Sequence, residues 1–191
     1  MGDNVRRLFG QKEEMPDGAL VQASREGQAW AQETLFKRYV RVALGQAWRL
    51  IPTEDPEDLA QDALVHALTN LNRLEEPQAF AAWLSSIVVR LAMSRLRKKH
   101  LLSRIGLGKG EHIDPDGMTT GLSGDARVEL REVYAILAGL PPEERVALVL
   151  RRVEGMELKE VAEAMDLSLA TVKRRLVAAE ARLSELSGRA S

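Results

Sequence analysis

Apolar residues recur along this chain at intervals of three and four, the period of helices that bury one face. The first short helix is predicted over Ala19–Glu26, started by Pro16-Asp17-Gly18 and stopped near Gly27. A long one follows over Trp30–Leu50, with Leu35, Tyr39, Val42 and Trp48 among its apolar positions, and Pro52 ends it. Asp55 is placed to cap the next, Pro56–Leu71, in which Leu59, Ala63, Ala67 and Leu71 repeat at four-residue spacing. A polar break, Asn72 to Gln78, leads into a helix over Gln78–Lys99 that carries Phe80, Trp83, Leu84, Ile87, Val88 and Leu91, an apolar surface broad enough to be packed on two sides.

Between His100 and Gly124 the pattern fails, because Gly106, Gly108, Gly110, Asp114-Pro115-Asp116-Gly117, Gly121 and Gly124 cannot sustain a helix. Helices resume at Ala126–Ala138, Pro142–Val153, Leu158–Met165 and Leu169–Leu186, joined by very short turns. The expected fold is all-α: two small helical domains, 17–99 and 125–187, joined by a Gly-rich flexible linker, 100–124, with a mobile tail at 1–16 and a short one at 188–191.

Composition narrows the function. With 45% hydrophobic residues in 191 the chain can bury real cores, and with 4% aromatic residues its usage is that of helices. It has no cysteine, which removes a disulfide framework, a cysteine-ligated zinc and a cysteine nucleophile, and fits a reducing cytoplasm. The N-terminus has no apolar signal core and no apolar run reaches about 18 residues, so a soluble cytoplasmic protein without membrane insertion is expected. The net charge of -1 is unpromising for a nucleic-acid binder until it is mapped: Leu84–Arg104 holds Arg90, Arg95, Arg97, Lys98, Lys99 and Arg104 and no acidic residue.

The sharpest motif is Leu158–Met165, then Asp166-Leu167, then Ser168–Leu176: a short helix, a tight turn, a Ser cap and a second helix, which is a helix-turn-helix. Val172, Leu176, Ala179 and Leu183 share the inner face. Ala170, Thr171, Arg174, Val177 and Ala178 lie away from it, where base edges are reached, with Lys173 and Arg175 flanking for phosphates. Trp83, Arg90 and Arg97 recur every seven residues and, with Ser86 and Ser94, form a stripe suited to a phosphate backbone. The acidic start Glu54-Asp55-Pro56-Glu57-Asp58 is in part ordinary compensation of a helix dipole, but Asp58, Gln61 and Asp62 extend beyond the first turn and suit a basic partner protein. Asp58, Asp62 and His66 share a helical face in the manner of a metal site but lack a fourth ligand, and Gly106-x-Gly108-x-Gly110 has the spacing of no nucleotide loop.

These motifs in this order resemble the extracytoplasmic-function sigma factors of the sigma-70 family. Ala19-Leu-Val-Gln-Ala with Leu35-Phe-Lys-Arg-Tyr39 resembles the opening helices of a sigma-2 domain, and Asp55-Pro-Glu-Asp-Leu-Ala-Gln-Asp62 its signature for docking on core RNA polymerase. Phe80-Ala-Ala-Trp-Leu84 and the basic helix resemble the part that opens and reads the minus-ten element; Leu140-Pro-Pro-Glu-Glu-Arg145, Arg152-Val-Glu-Gly155 and the helix-turn-helix resemble sigma-4, which reads the minus-thirty-five element. The resemblance implies a transcription-initiation factor, not an enzyme, without cofactor or metal, whose partners are core RNA polymerase, promoter DNA and an anti-sigma protein. It implies polymerase contacts at Asp55, Asp58, Leu59, Gln61 and Asp62. Minus-ten contacts fall at Asn72, Arg73, Gln78, Arg90, Ser94, Arg97 and Lys98, and minus-thirty-five contacts at Ser168, Ala170, Thr171, Lys173, Arg174, Arg175 and Val177. Arg90 and Ser94 stand where the family usually has Asn and Asp, Leu64 and Leu68 replace aromatic residues, and Asp166 replaces the usual turn Gly. A polymerase-independent helix-turn-helix regulator and a metal-dependent helical hydrolase built on Asp58, Asp62 and His66 are the alternatives.

Overall fold

The three- and four-residue spacing resolves into eight helices and no strand among the described residues, which in the computed structural model are 14–52, 55–106 and 133–190, with side chains to 185. Helix α1 (Asp17–Arg25) begins after Pro16 and stops at Gly27, whose φ of 83° is a conformation glycine adopts without steric cost. Helix α2 (Ala29–Leu50) runs to the residues just before Pro52. In α3 (Pro56–Thr69) the Asp55 carboxylate accepts from the Asp58 backbone N–H at 3.0 Å and Pro56 sits at the first helical position, where no N–H is required. Two single 3-10 turns, Leu71–Arg73 and Pro77–Ala79, shape the polar break.

Helix α4 spans Phe80–Arg104, five residues past the expected Lys99, because Leu101, Leu102 and Arg104 are good helix formers and the first breaker among the described residues is Gly106, at φ 74°. The remainder of the expected linker, 107–124, and the expected start of the next helix at Ala126 lie outside the described residues, as does most of the N-terminal tail. Helix α5 is described over 133–138; α6 (Pro142–Arg152), α7 (Leu158–Met165) and α8 (Leu169–Ala190) complete the chain.

Helices α1–α4 pack around Leu20, Leu35, Leu50, Leu59, Leu64, Phe80 and Val88, all fully buried. Burial of each such side chain contributes about 1.5–3 kcal/mol. Val42, expected inside, is exposed; the inner stripe of α2 runs through Leu35, Ala43, Ala47 and Leu50. Helices α6–α8 enclose Val146, Leu150, Val161, Met165, Val172 and Ala179, which continue the same buried cluster. The broad apolar surface of α4 has the two covers its width implies: α2 and α3 on one side, α6 and α7 on the other. Pro77–Arg104 is long and apolar enough to cross a membrane, and this double packing accounts for its apolarity.

Candidate nucleic-acid and polymerase interfaces

The helix-turn-helix is held by local hydrogen bonds. Glu157 and Glu160 form a reciprocal capping box at the start of α7, the Glu157 N–H donating to Glu160 Oε2 at 2.6 Å. At its end Asp166 takes the left-handed conformation, φ 53°, and the Leu167 N–H donates back to the Ala162 carbonyl at 2.9 Å, so the chain reverses within two residues. Ser168 Oγ then accepts from the Thr171 N–H at 3.2 Å and starts α8.

Val172, Leu176 and Ala179 are buried, and the opposite side of α8 presents Ser168, Ala170, Lys173, Arg174 and Val177 to solvent, with Thr171 and Arg175 half-buried. Thr171 Oγ1 is 2.8 Å from Ser168 Oγ and accepts from an Arg174 guanidinium nitrogen at 3.2 Å. The guanidinium is therefore tethered one helical turn below the residue that caps the helix, near the helix start.

Helix α4 distributes its six cations unevenly. Arg90, Ser94 and Lys98 are exposed. Arg95 turns inward to Asp58 Oδ2 at 2.6 Å and Asp62 Oδ2 at 2.7 Å on α3. Arg97 pairs with Glu143 on α6 at 2.8 Å. Burial pushes the Glu143 carboxyl up, but its own backbone N–H, the hydrogen bond from Arg97 and the charges of Arg97 and Arg175 outweigh that and hold it below the usual range. Trp83, at the head of the stripe, is half-buried against Phe80, ring centroids 6.2 Å apart, and Phe80 packs in turn on Tyr39 at 5.1 Å.

In the break before α4, Leu71 and Leu74 are buried while Asn72, Arg73 and Gln78 are exposed. Arg25 of α1 pins the segment, donating to the Leu71 carbonyl at 2.9 and 3.2 Å and also to the Leu74 carbonyl. Gly18 allows the Gln78 carboxamide to lie close, since a Cβ there would stand 3.1 Å from it. Sequence reasoning missed Arg25, because a cation-to-carbonyl contact across 46 residues leaves no local signature.

On α3, Asp55, Asp58, Gln61 and Asp62 are exposed in one patch, while Leu59 is fully buried and serves the core. Leu59 therefore cannot contact polymerase directly without rearrangement; its four-residue step from Ala63 puts it on the inner face. Among the described residues Asp58 and Asp62 pair with Arg95, and no group of three or more His, Asp or Glu there is arranged to hold a metal.

Two family models match this chain: Sigma-70 region 2 over residues 35–101 and Sigma-70, region 4 over residues 130–183. The ECF RNA polymerase sigma factor SigM of Mycobacterium tuberculosis is 32% identical over 183 residues, covering 94% of this chain and 89% of SigM. The chain belongs to the extracytoplasmic-function sigma factors. The ECF sigma-E factor of Escherichia coli K12 is 27% identical over 172 residues, covering 86% of this chain and 90% of that one. A solved structure of CnrH in complex with the cytosolic domain of CnrY matches with a TM-score of 0.64 and 27% identity, covering 93% of this chain and all of that one. RpoE from Bartonella quintana, solved with the anti-sigma factor NepR, matches in fold with a TM-score of 0.63 over 82% of this chain and 96% of that one, at 22% identity. This sigma factor binds core RNA polymerase and directs it to promoters for transcription initiation.

Proposed function

We propose that this sigma factor docks on core polymerase through the acidic patch of α3, handles the minus-ten element with the segment 70–79 and the exposed cations of α4, and reads the minus-thirty-five duplex with α8. In this reading 17–99 acts as the sigma-2 domain and 125–187 as sigma-4. The observation that carries it is the outer face of α8: a cap, a tethered Arg174 and an exposed Val177, aligned on the side opposite the buried Val172, Leu176 and Ala179. A guanidinium held near the start of a reading helix suits the paired acceptors of guanine, and Val177 suits a thymine methyl. Capturing an unstacked base costs a few kcal/mol, so the exposed Asn72 and Arg73 beside the pinned Leu71 and Leu74 favour a meltable minus-ten step. No covalent chemistry is asked of its side chains, and it works in the cytoplasm with polymerase. An anti-sigma protein completes the set of partners, a role supported by the complex in which RpoE was solved with the anti-sigma factor NepR.

Arg174→Ala is expected to lose about 1–3 kcal/mol on the cognate minus-thirty-five duplex and to relax discrimination there. Arg175→Ala, at the flank, weakens all sequences alike and lowers the salt slope by about one. Titrations on cognate and scrambled duplexes at several salt concentrations measure both. Equal loss on both duplexes for Arg174→Ala would remove Arg174 from base reading.

A further inference from the structure

Helix α1 touches both 3-10 turns of the segment 70–79. At its end Arg25 donates to the Leu71 and Leu74 carbonyls, and at its start Gly18 gives the Gln78 carboxamide room to lie against the helix. The helix is itself fixed. Leu20 and Val21 are fully buried, and Asp17 in its first turn is held on α2 by Arg38 at 2.5 Å and by the Tyr39 hydroxyl.

The segment does little to order itself. The Arg73 N–H donates to the Asn70 carbonyl at 2.9 Å, the Leu74 N–H to Leu71 at 3.1 Å and the Ala79 N–H to Glu76 at 2.8 Å, and none of these backbone bonds links the first turn to the second. Arg25 ties the end of the first turn instead to a buried helix, across 46 residues to Leu71 and 49 to Leu74. A charged donor makes a stronger hydrogen bond than a neutral one. The planar fork of a guanidinium also addresses two carbonyls at once, which the ammonium of a lysine, a point charge on a flexible stem, does not. A segment that receives an unstacked base binds it in proportion to the fraction of time it already holds the receiving shape. Any group that raises that fraction in the free chain therefore raises promoter opening.

We propose that Arg25 is a positioning residue for promoter opening: its forked bonds to Leu71 and Leu74 hold the segment in the shape that captures the minus-ten base. Arg25 acts through the backbone it holds, with α1 as the splint, and not through contact with DNA. The proposal rests on the assignment of this segment to the minus-ten element.

The test uses holoenzyme at matched concentration on a promoter fragment that the parent holoenzyme selects from genomic DNA, with opening read as the yield of abortive transcripts. The same fragment with mismatched pairs across the minus-ten element offers bases that are already unpaired. Arg25→Met should lower the yield on the paired fragment about tenfold, the loss of about one charge-assisted hydrogen bond. On the mismatched fragment its yield should approach that of the parent, because capture no longer has to offset unpairing. Arg25→Lys should recover only part of the loss, since an ammonium lacks the fork. A Lys variant equal to the parent means that charge alone acts, and overturns the positioning role. So does a Met variant with undiminished yield, or one that loses equally on both fragments, the mark of a residue that serves only the fold. Failure of the underlying assignment looks different: Asn72→Ala with Arg73→Ala then opens the paired fragment as the parent does, which removes the segment from the minus-ten element.

Discussion

Thr171 shows what a single oxygen can arrange: it meets Ser168 at the helix cap and accepts from Arg174, so the cap and the guanidinium proposed for base reading meet at one side chain. The spacing of the motif gave these three residues their faces, but the hydrogen bonds between them depend on rotamers that no spacing encodes. The tyrosines are the same kind of detail. The chain has two, and both phenols are pushed up: Tyr39 by burial, then by its hydrogen bond to Asp17 and that carboxylate's charge, and Tyr134 by burial against the opposing charges of Arg145 and Arg49. A phenol raised in the folded state stabilises it fully below the ordinary tyrosine value and loses that contribution as pH climbs through the shifted one. At about pH 10, where half of an unfolded chain's tyrosine is ionised, ultraviolet absorbance should show little tyrosinate in the native protein and a jump when denaturant is added. Half-ionisation of the native chain at that pH would contradict the tight packing of both rings.

The helices themselves were legible almost in full, because the apolar period, Pro56, Gly27 and the Ser168 cap act within a few residues of one another. The end of α4 was not, since the sequence reading stopped at the change of composition near His100 while the backbone continues through Leu101–Arg104 to Gly106. The turn between α7 and α8 tests how local chemistry sets an element's angle. Asp166 holds a left-handed φ of 53° that glycine adopts more readily. Asp166→Gly is therefore expected to raise stability by about 0.5–1 kcal/mol, and Asp166→Val, β-branched, to lower it by about 1–2 kcal/mol or more. Thermal melts of the three chains give the order; a Val variant as stable as the parent would mean that the turn relaxes to another conformation.

For the molecule as a whole, the acidic patch and the basic helix were each visible in the sequence, whereas their meeting was not: Arg95 reaches Asp58 and Asp62 across 37 and 33 residues, a distance set by how α3 and α4 cross. The seam between the halves was equally hidden, since nothing in the order of helices says which face of α4 the C-terminal half covers. Replacing Asp58 and Asp62 together by Asn should cost below about 1 kcal/mol of stability, because both carboxylates are more than half exposed. The same variant should lose affinity for core polymerase, measured by pulldown or anisotropy against a folded control. Unchanged affinity would remove α3 from the docking surface. Finally, α4 is packed by helices from both halves within one continuous buried cluster, and heat must therefore treat the chain as one unit. Scanning calorimetry should find a single endotherm whose van't Hoff and calorimetric enthalpies agree; two resolved transitions would mean that the packing across α4 does not couple the halves.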